Sequence, residues 1–339
     1  MLTEKENYLM MLRGEAPEWV PQYSFGKSPG SDANPANVMF EPEILDAHRL
    51  NGGGPDLWGV NYIPTYETGN ALIPEPNNFI LRDITKWRDV IRAPDLTGVD
   101  WEAMVARDMK RVGVDRRESA LAMNLHFGYF QTLMSFMGFS EGMMAMFEDP
   151  DEVHALLGYV CDFYLTVAEK TIDLYKPDVC TLMDDTAAWA NPFISPEMYR
   201  EFVLPHHKRW TDLAQSRGLL TTMHNCGKCE GIVDQLVEIG VNLWEPAQTC
   251  NDLAAVKRKF GNKIAIAGGW DGRGRLVEPD VTDEEIRQSV RDTIDALAPN
   301  GSFAWFGMFL GPVDDPEVAR KNAILDDEAT RYGRAFYKH

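Results

Sequence analysis

One short stretch of the sequence places a histidine and a cysteine at a spacing that suits metal binding. His224 and Cys226 lie two residues apart, directly after the apolar run 218–223. Side chains two apart on a β-strand point to the same face, so the imidazole and the thiol would converge. One nitrogen and one sulfur ligand make half of a tetrahedral zinc site. The stretch therefore predicts a metal site, although His-x-Cys alone also occurs by chance.

Other polar and aromatic residues follow apolar runs in the same way. They are Asn124, His126, Asp184, Asp185, Glu245, Trp270 and Asp271. Glu245 ends the run after the His-Cys pair, and a neighbouring strand end is about 5 Å away. We therefore expect Glu245 to be the third zinc ligand, with Cys229 and Cys250 as alternatives. A fourth position left open is typical of a catalytic zinc site.

The remaining strand-end residues are candidates for chemistry on a substrate. Asp184 and Asp185 are expected to be catalytic, as acid/base groups or as partners of His224, although a turn would also use them. Asn124, His126, Trp270 and Asp271 are expected to bind substrate. Rim packing explains the tryptophan equally well.

Eight short apolar segments alternate with helical patterns and would position these residues. The predicted strands are 19–25, 57–63, 120–127, 179–183, 218–223, 242–245, 264–267 and 303–306. This alternation predicts an α/β fold, a (β/α)8 TIM barrel, as a single domain over residues 1–339 with an N-terminal helical extension at 3–13. The methionine-rich stretch 130–147 is interpreted as one core helix. Active sites of such barrels lie at the carboxyl ends of the strands, where the candidates are.

Charge and composition exclude several classes of protein. The formal net charge is −19 over 339 residues, which disfavours binding to nucleic acid or to an anionic membrane. The amino terminus does not look like a signal peptide, and no apolar run approaches the ~18 residues of a membrane span. Five cysteines in a chain of this length do not make a disulfide framework. We therefore expect a cytoplasmic protein with reduced thiols.

The chain resembles the uroporphyrinogen decarboxylase superfamily, and within it the zinc-dependent corrinoid methyltransferases of the O-demethylase type. The resemblance is carried by residues 13–17, 20–21, 83–87, 184–185, 195–199, 224–227 and 267–271. It implies Zn²⁺ as cofactor, a corrinoid (cobalamin) carried by a partner protein, and a small methylated substrate. It leaves the assembly open, with a homodimer as one option.

Two departures from that superfamily bear on function. The segment 22–28 lacks the arginines with which true uroporphyrinogen decarboxylases grip their polycarboxylate substrate. The methyltransferase branch usually has a third zinc ligand, a cysteine, near the last strand, but no cysteine follows Cys250 here. His-x-Cys followed by a strand-end glutamate is similar to the zinc site of cobalamin-independent methionine synthase, which also suggests Glu245.

The leading hypothesis is a zinc-dependent methyltransferase that acts between a methylated substrate, such as an aryl methyl ether, and a corrinoid protein. The harder donor set slightly favours an oxygen-donor substrate. The alternatives are methyl transfer from a corrinoid to a thiol, a metal-independent decarboxylase, and a binding protein without turnover.

Overall fold

Parallel strands form most of a barrel in the computed structural model, which describes residues 2–26, 34–66, 70–125, 128–312 and 315–338. The strands are β1 (Asn37–Phe40), β2 (Gly54–Pro55), β3 (Asn61–Pro64), β4 (Leu72–Pro74), β5 (Ala120–Asn124), β6 (Val179–Met183), β7 (Leu220–His224), β8 (Leu243–Ala247), β9 (Ala265–Gly268) and β10 (Phe303–Ala304). One parallel sheet has the order β1-β5-β6-β7-β8-β9-β10.

Helices follow most of the barrel strands. They are α1 (Glu4–Leu12), α2 (Glu43–Leu50), α3 (Trp87–Val90), α4 (Trp101–Val112), α5 (Tyr129–Met137), α6 (Phe139–Glu148), α7 (Pro150–Tyr175), α8 (Pro196–Met198), α9 (Leu204–Ser216), α10 (Val233–Glu238), α11 (Leu253–Phe260), α12 (Asp283–Leu297) and α13 (Pro316–Ala335). Within the described ranges, no helix is long and apolar enough to cross a membrane.

The segment 21–25 bridges the two edges of this sheet. On one side, Tyr23 N–H donates to the Trp305 carbonyl, and Trp305 N–H donates to the Pro21 carbonyl, both at 2.8 Å. On the other side, Ala36 N–H donates to the carbonyl of Gln22 at 3.1 Å. The segment therefore takes the place of the eighth barrel strand, and the predicted (β/α)8 barrel class is confirmed. The single-domain boundary stays a prediction.

The second barrel strand differs from the sequence prediction. It is β1, which pairs in parallel with β5 from Asn37↔Ala120 to Phe40↔Met123. The predicted strand 57–63 instead contributes β3 to a separate antiparallel sheet, β2-β3-β4, here called the inserted sheet. β1 has four residues directly after a Gly/Ser/Pro/Asn-rich stretch, too few to show a periodic pattern.

The N-terminal helix α1 packs against the small side chains of the barrel interior. Thr3 caps it in the predicted capping box, since Thr3 Oγ1 accepts from Glu6 N–H and Glu6 Oε2 accepts from Thr3 N–H. Its Tyr8, Met11 and Leu12 are buried in one cluster with barrel residues. These partners include Ala120, Ala122, Ala265, Ala267 and Ala304. Each buried side chain of this size contributes ~1.5–3 kcal/mol, so α1 is part of the core rather than an appendage.

The methionine-rich stretch forms two helices instead of the single predicted one. α5 ends and α6 begins at Gly138, whose φ is +83°. A Cβ there would lie 2.4 Å from the Phe79 ring, so the position requires glycine. This break lets α5 and α6 line one wall of the cavity described below.

Candidate metal centre and adjoining cavity

The register of β6, β7 and β8 brings their polar ends together. Met183 pairs with His224, and His224 pairs with Glu245. Residues in register on neighbouring parallel strands point to the same face, so the side chains beyond these ends gather at one edge of the barrel. Gly227 then turns the chain with φ +85°, and a Cβ there would lie 2.6 Å from the Ala188 carbonyl.

His224 contacts a different group with each ring nitrogen. Its Nδ1 lies 2.9 Å from Glu245 Oε2, and its Nε2 lies 3.5 Å from Cys226 Sγ. Burial lowers the pKa of His224, but Glu245 and Cys226 outweigh it, so that pKa is raised well above its usual value. Burial likewise raises the pKa of Cys226, while His224 opposes the shift.

Asp185 supplies the carboxylate nearest to Nε2 and Sγ. Its Oδ1 accepts the Cys226 N–H at 2.7 Å, and its Oδ2 lies 3.4 Å from Gln131 Nε2. One ligand atom each from Asp185, His224 and Cys226 lies within 4.8 Å of the others. No other His/Cys/Asp/Glu trio in the described ranges meets this spacing. The three residues, called the ligand cluster below, offer the N, S and O donors that suit Zn²⁺ at about 2.0–2.3 Å.

Glu245 lies behind the imidazole, where the sequence analysis expected a ligand. It is fully buried, and its contact is to Nδ1, on the other side of the ring from Cys226. Zinc-binding histidines commonly donate their second N–H to a carboxylate, which fixes the tautomer and the ring orientation. The geometry therefore favours Glu245 as the partner of His224 and Asp185 as the third donor.

Two buried tyrosines surround the Glu245 carboxylate. Burial and then the charge of Glu245 raise the pKa of Tyr8 and of Tyr23. Tyr8 belongs to α1, and Tyr23 belongs to the segment 21–25. Residues of α1 and of the segment 21–25 thus lie near the Glu245 carboxylate, which contacts His224 Nδ1.

Asp184 and Asp185 are neighbours in sequence but serve different environments. Asp184 is fully buried and accepts the backbone N–H groups of Phe130 at 3.1 Å and Gln131 at 3.0 Å, at the start of α5. Its Oδ2 also lies 3.4 Å from His207 Nε2. The carboxylate thus holds the start of α5 in place, and its expected catalytic role stays a prediction.

The expected substrate-binding residues are dispersed. Asn124 is buried, and its Nδ2 donates to Glu41 Oε1 at 2.7 Å, while His126 lies outside the described residues. Trp270 donates to Ser289 Oγ at 2.9 Å and packs edge-on against Phe309. Asp271 pairs with Arg273, which holds the pKa of that carboxyl at about 2.

The two other candidate cysteines point elsewhere. Cys229 Sγ donates to Asn225 Oδ1 and to the Cys226 carbonyl, both at 2.9 Å, and burial raises the pKa of its thiol. Cys250 Sγ is 3.4 Å from Asn251 Nδ2, and burial also raises its pKa. Neither belongs to the ligand cluster.

A cavity of about 550 Å³ opens beside Asp185, and it was not predicted from the sequence. Its size is within the ~300–1,000 Å³ of small-molecule sites. One side is the inserted sheet and its flanks, and the other is α5, α6 and the loop after β6. The residues that line it include Arg49, Asp56, Trp58, Tyr62, Phe130, Gln131, Phe139, Asp185 and Phe193. The signal available in the sequence was the position of Phe130 and Gln131 just after a barrel strand.

Comparison with known proteins identifies the family. The profile of the family described as Uroporphyrinogen decarboxylase (URO-D) matches residues 124–316, more than half of the chain. The chain therefore belongs to the uroporphyrinogen decarboxylase family.

Individual relatives carry two different names. A methylated-thiol–coenzyme M methyltransferase of Methanosarcina mazei is 27% identical over 150 residues, which are 43% of this chain and 37% of that protein. A uroporphyrinogen decarboxylase of Nocardia farcinica is 25% identical over 186 residues, 53% of this chain and 49% of that protein. The matches thus span less than half the length of each curated relative.

A solved structure matches the whole chain. It is a methyltransferase from Methanosarcina mazei, with a TM-score of 0.64 and 13% identity, covering 98% of this chain and 99% of that one. At this identity the likeness concerns the fold.

Proposed function

We propose that the chain is a zinc-dependent methyltransferase that moves a methyl group between an aryl methyl ether and a corrinoid carried by a separate protein. The observation that carries the proposal is the ligand cluster, whose Asp185 also lines the cavity. A metal held there would border the space for a small substrate. The relative named as a methyltransferase supports the reaction class.

His224 Nε2, Cys226 Sγ and an Asp185 oxygen would hold the metal and leave one position for the substrate. When bound, zinc supplies Lewis acidity toward the substrate heteroatom and makes it a better leaving group. The carboxylate donor in place of a second thiolate makes the site harder, which favours oxygen.

The protein's own groups position the reactants. Glu245 accepts the Nδ1–H of His224, which leaves the Nε2 lone pair directed at the cluster. The Cys226 N–H holds Asp185 Oδ1 at 2.7 Å, whereas the contact of Oδ2 with Gln131 Nε2 is longer, at 3.4 Å, so Oδ2 would be the oxygen offered to a metal. Gln131, between Asp185 and the cavity, carries an amide that can donate to the departing oxygen.

Methyl transfer breaks the bond between the oxygen and the methyl carbon and forms one between that carbon and the corrinoid cobalt. The electron pair stays on the oxygen, which takes up a proton to give a phenol. The corrinoid reacts in its reduced form and supplies the attacking electron pair, so the transfer itself needs no other oxidant or reductant.

Methyl transfer to a thiol is the second candidate. The relative named as acting on methylated thiols favours it, as does the thiolate in the ligand cluster. A thiol acceptor would use the same three residues, so the substrates rather than the site separate the two functions. A metal-independent decarboxylase would leave the cluster without a role.

The test uses the purified chain, its metal content, and two reactions. Reduced cobalamin with methoxybenzene should yield methylcobalamin by its absorbance, and methylcobalamin with simple thiols tests the second candidate. We expect zinc near one equivalent and formation of methylcobalamin from the ether. His224→Ala should abolish both zinc binding and methyl transfer. The control is His154→Ala, which should abolish neither, because this half-buried histidine of α7 lies outside the ligand cluster. A chain without zinc after gentle preparation, or full activity of His224→Ala, would overturn the proposal.

A further inference from the structure

We infer that the cavity beside Asp185 selects an uncharged aromatic ring and rejects one that carries a carboxylate or sulfonate. The inference rests on the proposed function, because it takes the Asp185 end of the cavity to be the reactive end. It goes further by naming the charge that the substrate must have.

Aromatic side chains from both sides line the cavity. Phe139 and Phe193 meet edge to face at 4.7 Å between ring centroids, and Phe130 lies nearly parallel to Phe193 at 6.1 Å. From the inserted-sheet side come Trp58 and Tyr62. Trp58 is held by a 2.9 Å hydrogen bond from its Nε1 to Tyr164 Oη. Rigid aromatic walls suit a flat apolar ring.

The charged groups of the cavity disfavour a second negative charge. Arg49 is the only lysine or arginine among its described lining residues. Its guanidinium already faces two carboxylates, Glu41 at 3.4 Å and Asp46 at 3.7 Å. Asp56 is itself a lining residue, and burial raises its pKa to about 6, while the backbone N–H groups of Trp58 and Val60 donate to its Oδ1. An anionic substituent at this end of the cavity would meet the Asp56 carboxyl and an Arg49 guanidinium that already faces Glu41 and Asp46.

A ring with a permanent positive charge would suit the acidic residues of the cavity but could not bind to the metal through its charged group. A quaternary ammonium group has no lone pair to offer a Lewis acid, whereas an ether oxygen has two. The pose that satisfies both ends is a neutral methoxylated ring with its oxygen toward Asp185 and Gln131. The rest of the ring would lie against the aromatic walls.

The experiment compares ligands that differ only in a carboxylate. Calorimetric titration of the zinc-loaded chain with methoxybenzene and with 4-methoxybenzoate at pH 7.5 should show the acid binding at least ~10-fold more weakly. Phe193→Leu should weaken binding of methoxybenzene, while Phe147→Leu, on the exposed face of α6, should leave it unchanged.

Charge reduction supplies the second arm. Asp56→Asn should narrow the difference between the two ligands. Asp83→Asn is the matched control, because Asp83 also accepts a backbone N–H two residues on but lies outside the cavity. If Asp56→Asn does not fold, the ligand pair on the wild-type chain still decides the question.

Equal or tighter binding of 4-methoxybenzoate overturns the inference. The same titrations separate it from the proposed function, since they do not require turnover. Selective binding of the neutral ring without formation of methylcobalamin supports the selectivity and counts against the ether demethylase. Methyl transfer from both ligands at equal rates upholds the proposed function and overturns the selectivity.

Discussion

The ligand cluster at the ends of β6–β8 and the inserted sheet contribute different properties, and Asp185 is the member of the cluster that lines the cavity. The strand ends bring the ligand cluster together through a parallel register, in which His224 pairs with its neighbours on both sides. The inserted sheet contributes aromatic and charged lining without any member of the cluster. In the proposed function, this difference means that the metal-binding chemistry would lie on the regular barrel strands and the choice of substrate on the inserted sheet.

Substitution of the two neighbouring aspartates should give the largest and most distinct effects. Asp185→Asn should lower metal affinity and methyl transfer by at least ~100-fold, more than the ~10–100-fold of outer-shell partners, with little change in stability. Asp184→Asn should instead cost ~3 kcal/mol of unfolding free energy, because His207 and the α5 amides lose a buried carboxylate. Chelator competition and urea unfolding measure the two effects. Similar behaviour of both variants would contradict the division between them.

Glu245→Gln tests the support behind the strand ends. The amide can present its NH₂ rather than an acceptor to Nδ1, which disfavours the tautomer that leaves Nε2 available. We expect zinc affinity to fall ~10–100-fold, measured by competition with a chelator, while ring binding in the cavity is retained. Glu230→Gln is the control, because this half-buried glutamate also follows β7 but lies outside the ligand cluster. Unchanged zinc affinity would assign Glu245 a purely structural role.

Trp58→Leu tests the inserted sheet. Loss of the indole removes ring contacts from the cavity and the hydrogen bond to Tyr164. Since ring stacking contributes ~1–1.5 kcal/mol, KM for the ether should rise ~10-fold, with zinc content unchanged. A fall in zinc content would mean that the insertion and the ligand cluster are not separable.

The effect that bears least on the site concerns pH and α2, which borders the cavity. Burial and the nearby Glu41 raise the pKa of Asp46 to about 7, so the native state retains a proton that the unfolded chain releases. Stability from this group is therefore greatest below about pH 4 and declines as the pH rises to 7. Asp46→Asn should flatten that decline by on the order of 1–3 kcal/mol, measured by urea unfolding at several pH values. An unaltered pH profile would show that Asp46 does not hold the proton.

The barrel was predictable because each of its features is local. Seven of the eight predicted strands occupy barrel positions, since alternating apolar runs and helices leave few other arrangements. The four-residue β1 was missed, and the apolar segment 57–63 took its place in the prediction. A four-residue strand is too short to show a periodic pattern in the sequence, so its pairing with β5 determines its structure.

The sequence by itself determined that His224 and Cys226 lie two residues apart at the end of one strand: β7 ends at His224, and Cys226 lies just beyond it. Only the tertiary structure decided the roles of their neighbours. Asp184 turned toward the start of α5, Asp185 toward Cys226, and Glu245 toward Nδ1 of His224. The cavity could not be predicted either, because it joins the inserted sheet to α5 and α6, which lie more than 50 residues further along the chain. A residue's own strand fixes its direction, but what it meets there depends on elements that only packing brings together.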